Sequence, residues 1–167
     1  MLDGLVGAWE TRADYGHYLQ GIADFRISMD QMLAGFEYPP EWGGFRPVDI
    51  HRELNKDLSS FGLAARRNTL EWTGDRDREE LLGLLYTLEG SNLGAQILLR
   101  RATALGFSTE NGCAHLARQA AAIGNWRQYL DLLENTPDLD MDRVGEAACI
   151  AFDLARQSFE RVVCERC

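Results

Sequence analysis

Gly90-Ser91-Asn92-Leu93-Gly94-Ala95 interrupts what is otherwise a strongly helical stretch of the 167-residue chain. A glycine inside a helix costs about 1 kcal/mol relative to alanine. Gly90 and Gly94 are four residues apart, so they share a helix face and leave bare backbone on it. Close approach of a second helix offsets that cost, and so does a flat ligand lying against the backbone. A glycine pair also lets the helix bend where the ligand meets it. Spacing alone leaves both readings open.

Other residues offer less. Cys164-Glu-Arg-Cys167 has C-x-x-C spacing but lacks the further ligands of a zinc site. With Cys113 and Cys149 it reads as reduced thiols, and no metal site is expected. There is no Glu-x-x-His pair for a di-iron bundle, no H-E-x-x-H and no P-loop. Of the three histidines, His17 and His115 fall opposite the apolar stripes of their helices, and His51 flanks Ile50 and Leu54. All three are expected to be solvated or at a boundary.

Seventeen Lys and Arg stand against 26 Asp and Glu, a formal net charge of −9, which argues against nucleic-acid binding. Lys56 is the one lysine; arginine suits specific carboxylate or phosphate contacts. The N-terminal MLDGLVGAW has no basic n-region, and the apolar run Leu81 to Leu88 is too short to span a bilayer. The expectation is a cytoplasmic protein with no membrane partner.

The segment Leu85-Tyr86-Thr87-Leu88-Glu89-Gly90-Ser91-Asn92-Leu93-Gly94-Ala95 resembles the distal-helix signature of bacterial biliverdin-producing heme oxygenases, the phytochrome-associated type in particular. Asp14 to Leu19, Lys56 to Leu63, Trp126 to Leu130 and Ala148 to Phe152 are similar to the same family in the same order. The resemblance implies heme sandwiched between a proximal helix with an axial histidine and a kinked distal helix. It implies cleavage of heme with O₂ to biliverdin, CO and ferrous iron. Electrons would come from a ferredoxin- or flavoprotein-type donor, and phytochrome is a candidate partner. Carried over, Gly90, Ser91 and Gly94 face the distal side of the heme as catalytic positions, and Tyr86 and Ala95 join them in contacting it. Ser91 would help order a proton-donating water network, and the methyl of Ala95 would narrow the space. Arg12, Arg26, Arg156 and Arg161 are candidates for the propionates, with Arg156 placed in the site. In the family the axial histidine precedes a Leu-Asp-like pair. Leu2-Asp3 matches that pair, so the helix carrying the ligand would lie upstream of Met1. Two alternatives follow: a truncated form of a heme oxygenase, or a non-catalytic tetrapyrrole-binding or interaction protein on the same fold.

The elements that must position these residues are helical throughout. Thr11-Arg-Ala-Asp14 resembles a capping box and opens a helix to about residue 34, with Tyr15, Tyr18, Leu19, Ile22, Arg26, Met29 and Leu33 in one stripe. A second helix is expected from near Pro47 to Gly62. Leu81 to Leu88 is apolar around most of its circumference and reads as the central helix, continuing through the glycines to Leu105. Shorter helices at about 110–122 and 125–134 precede a long final one with Val144, Ala148, Ala151, Ala155, Phe159 and Val162 inward. The expectation is an all-α, single-domain multi-helix bundle over residues 1–167, with a glycine-kinked central helix.

Overall fold

The computed structural model describes residues 9–66 and 72–164. The Leu2-Asp3 pair and the side chains of Cys164 and Cys167 lie outside that description. The order is α1 (Arg12–Leu33), a 3₁₀ turn (Pro40–Trp42), α2 (His51–Ser60), α3 (Arg78–Gly90), a 3₁₀ segment (Ser91–Gly94), α4 (Ala95–Ala104), α5 (Ala114–Ala121), α6 (Ile123–Asn135) and α7 (Met141–Cys164). Among the described residues there is no strand, only isolated bridges at Ser108.

Local chemistry sets the helix starts. The Thr11 hydroxyl accepts from Asp14 N–H, and the Asp14 carboxylate accepts from Thr11 N–H at 2.9 Å, completing the capping box. Asp77 caps α3 by accepting from Glu80 N–H at 3.0 Å. The start of α2 departs from expectation: it begins at His51, not near Pro47. Val48 is the reason. Its N–H donates to Glu89 Oε1 at 3.0 Å and its carbonyl accepts from the Arg26 guanidinium, so both backbone groups are committed across the core.

In α3, Leu81, Leu82, Leu84, Leu85 and Leu88 are all fully buried, as a central helix requires. It packs on α7 at Gly83, where a Cβ would sit 2.6 Å from the Ala147 Cβ and 2.8 Å from the Ala148 nitrogen, with the Val144 carbonyl closer still. Thr87 donates to the Ala148 carbonyl at 3.2 Å beside this contact. The predicted stripe of α7 is buried throughout. The first helix is less one-sided than its stripe suggests: Gln20, Asp24, Phe25 and Ser28 are also buried. It lies against α7 at Gly21, whose missing Cβ leaves room for the Phe159 ring.

Candidate functional site

The central helix does not run unbroken. Between Gly90 and Ala95 it tightens into a 3₁₀ segment before resuming as α4. The 3₁₀ form has three residues per turn and poorer hydrogen bonds than the α-helix, and inside a helix it often marks a hinge or a sequence under strain. Around it lies a cavity of about 560 Å³, lined mostly by apolar side chains. That volume falls within the roughly 300–1,000 Å³ usual for small-molecule sites.

Six helices and the 3₁₀ segment contribute. Tyr18, Ile22 and Phe25 come from α1; Phe152, Ala155 and Phe159 come from α7. Tyr86 and Trp126 meet edge to face at 5.5 Å, and Tyr86 is 6.2 Å from Phe152 in a similar geometry. Gly90 and Gly94 form part of the wall. A Cβ on Gly94 would meet nothing within 4 Å, and one on Gly90 would come no nearer than 3.6 Å to Trp126. The glycines therefore clear space in the cavity instead of admitting a neighbouring helix. Tyr86, Leu93, Ile97 and Phe152 are large apolar lining residues that stay exposed, so one side of the cavity is open to solvent.

The sequence-derived candidates divide accordingly. Tyr86, Gly90, Ser91 and Gly94 line the cavity together. Ser91 donates its hydroxyl hydrogen to the Leu88 carbonyl at 2.6 Å, so its lone pairs are what it can offer a guest. Ala95 is buried and is not a lining residue. None of the four propionate candidates lines the cavity. Arg156 is exposed and bonded to Asp153 and Glu160; Arg12 lies over the Phe61 ring at 4.2 Å. Arg26 is fully buried, where burial lowers its pKa and the charges of Asp30 and Glu89 act to hold it up. The basic lining residue is instead Arg101 of α4.

A polar thread enters the cavity from the core. Val48 N–H and Asn92 Nδ2 both donate to Glu89, each at 3.0 Å, and Gln119 Nε2 donates to Asn92 Oδ1 at 3.0 Å. Burial pushes the Glu89 carboxyl up, and the Val48 N–H and Arg26 charge oppose that shift. Gln119, on α5, lines the cavity. Sequence reading missed this thread. Its visible signal was a polar pair, Glu89 and Asn92, three residues apart within an apolar helix; nothing in the sequence joined Gln119 to it.

The histidines require a correction. His51 does sit at a boundary, bonded to Asp49 at 2.9 Å and to Asp30. His17 is half-buried. His115 is fully buried, against expectation. Asp57, itself fully buried, accepts from the N–H groups of Ala114 and His115 at 3.1 and 2.8 Å and from the His115 Nδ1 at 2.7 Å. One carboxylate thus caps α5 and draws its first imidazole inward. Cys113 is buried and Cys149 exposed, both as free thiols. No cluster of metal-ligating side chains occurs among the described residues.

The chain is thus all-α, and its central helix tightens into a glycine-lined wall beside an open apolar cavity. Residues 52–161 match the heme oxygenase family model, so the chain belongs to the heme oxygenase family. Its fold is similar to that of the NO- and CO-bound heme oxygenase from Neisseria meningitidis. The TM-score is 0.66 at 21% identity, over 94% of this chain and 82% of that one. No curated protein matches the chain.

Proposed function

We propose that the protein binds heme in this cavity and cleaves it oxidatively to biliverdin, CO and ferrous iron. The observation that carries the reading is the cleared wall at Gly90 and Gly94, facing an apolar cavity bounded by Tyr86, Trp126 and Phe152. These residues fit a flat macrocycle: the aromatic side chains bury its faces, and the glycine backbone can approach closely. Arg101 would hold a propionate by a charge-assisted hydrogen bond. Gly90 and Gly94 act by leaving room, Ser91 by offering an acceptor, and the aromatic wall by excluding water from one side. Heme, when bound, supplies the iron and the oxidisable ring. Electrons come from a ferredoxin- or flavoprotein-type donor, and phytochrome is a candidate recipient of the product. No helix of the described residues is long and apolar enough to cross a membrane.

A second reading has an observation of its own. No described lining residue is a histidine. A tetrapyrrole binder without ring-opening activity on the same fold accounts for that. Hemin titration followed by reductant and O₂ separates the two. Saturable hemin binding with conversion to a biliverdin spectrum and release of CO is the expected result. Stoichiometric binding without ring opening would establish the second reading, and a folded protein that leaves hemin unbound would overturn both.

A further inference from the structure

Gly90, Ser91, Leu93 and Gly94 line the cavity; Glu89 and Asn92 do not, and both are fully buried behind it. That alternation repeats every three residues, the period of the 3₁₀ form. The form itself needs a cause. Its hydrogen bonds are poorer than those of the α-helix, and it has α-helix on both sides. A segment so placed reverts to α unless something holds it.

The buried pair supplies the hold. Side chains three residues apart eclipse one another in a 3₁₀ turn, and Asn92 Nδ2 donates to Glu89 Oε2 at 3.0 Å across that interval. Each partner is also tied outward to a different element. Glu89 Oε1 accepts from the Val48 N–H ahead of α2, and Asn92 Oδ1 accepts from Gln119 Nε2 on α5. In α geometry Asn92 would stand about 60° round the axis from Glu89, which strains its bond to Gln119, on a helix that does not turn with it. The consequence extends past the segment. With Ser91 to Gly94 in α form, α4 would be turned by about 80° and drawn back by about 2 Å. Ile97 and Arg101 would then leave the wall they line.

We propose that Glu89 and Asn92 are positioning residues for the glycine wall: their hydrogen bond locks Ser91 to Gly94 in 3₁₀ form and so sets the phase of α4 against the cavity. Neither touches a guest; both act through the backbone between and beyond them. A buried carboxylate and amide are a poor way to gain stability, because apolar side chains of similar volume often serve as well or better. Here they specify a geometry that apolar packing does not. For the guest this inference rests on the heme reading; for the helix it rests on the fold alone.

The decisive measurement needs no heme. Nuclear magnetic couplings across hydrogen bonds identify the carbonyl that each backbone N–H meets. In the unmodified protein Ala95 N–H should couple to the Asn92 carbonyl. In Asn92→Leu, and in the smaller Asn92→Ala, it should couple to the Ser91 carbonyl, the α-helical acceptor, with the pattern over Leu81 to Leu88 unchanged. Loss of stability alone does not exchange one acceptor for another. Hemin affinity should fall about tenfold in both variants, as the turned wall loses contact with the ring. In the unmodified protein the side-chain NH₂ of Asn92 should exchange with solvent about tenfold more slowly than that of exposed Gln96, the protection of one net hydrogen bond. Retention of the residue 92 acceptor in a folded variant, unchanged hemin affinity against a parent that binds, or equal exchange at Asn92 and Gln96 would each overturn the proposal. If both variants fail to fold, the coupling and exchange of the unmodified protein decide. A parent that leaves hemin unbound removes the heme reading, while the acceptor of Ala95 N–H still decides the lock.

Discussion

Gly83 and Gly94 belong to the same stretch of central helix, eleven residues apart, and do opposite things. At Gly83 the missing side chain is replaced by the backbone of α7, with the Ala148 nitrogen 2.8 Å from where a Cβ would stand. At Gly94 nothing comes within 4 Å of that position. The first glycine closes a helix pair; the second keeps a cavity open. A small residue in a helix is thus not one signal. Its meaning depends on whether another helix faces it, and the cost of putting back a methyl group measures which.

That contrast can be broken most directly at Gly83. Gly83→Ala should destabilise the fold by about 3 kcal/mol, at the upper end of overpacking costs, because the obstructing atoms include backbone. A urea midpoint little changed from the parent would dissolve the distinction. Gly94→Leu should do the reverse. Its stability should stay within about 1 kcal/mol of the parent, since an alanine-like backbone gain offsets the exposed side chain. Its hemin affinity should fall about tenfold or more, equivalent to about 1.4 kcal/mol. Hemin binding that survives this substitution would show that the glycine wall is not where the ring lies. Asp57→Asn sharpens the comparison by loosening α5 without touching either glycine. Three hydrogen bonds to a buried carboxylate are disturbed, and a loss of about 2 kcal/mol should register in thermal unfolding.

Smaller effects are expected at the margins. Hydrogen bonding to Asp30, with Asp49 adding to it, raises the His51 pKa from its ordinary 6.5 to about 9. A raised pKa means that the folded protein holds a proton the unfolded chain releases. The resulting stability is complete below pH 6.5 and disappears as pH rises through about 9. The stability difference between the parent and His51→Gln should therefore narrow between pH 6.5 and 9; a constant difference would refute the pairing. The smallest effect belongs to Arg101→Ala, which should weaken hemin binding about threefold at low salt and less at high salt.

How much of this could be read from residues alone depended on how local the cause was. The capping box at Thr11 and Asp14 and the run Leu81 to Leu88 are determined by neighbours in sequence, and both elements formed where expected. The break at the glycine segment was also legible, and Tyr86, Gly90, Ser91 and Gly94, which the resemblance groups, line one cavity. The failures have distant causes. Pro47 suggested a helix start, but Val48 is claimed by Glu89 and Arg26, 41 and 22 residues away. The position of His115 opposite its helix's apolar stripe implies a solvated or boundary side chain, whereas Asp57, 58 residues earlier, draws it inward. Arg156 has the right charge on a helix that borders the cavity, but its neighbours Asp153 and Glu160 hold it outside. A side chain's sequence neighbours can forecast its helix, not its long-range partner.

The 3₁₀ segment from Ser91 to Gly94 also bears on how the gene can change. Each of its residues advances the axis about 2.0 Å, compared with 1.5 Å in the α-helices on either side. Adding or deleting one codon there would turn everything beyond it by about 100° and swing Ile97, Leu98 and Arg101 off the cavity. Leu81 to Leu88 would remain packed. The same edit between Asn135 and Met141, a mostly exposed connection, would leave both flanking helices in phase with their partners. Substitutions at the glycine segment can be graded in effect, but changes of length cannot.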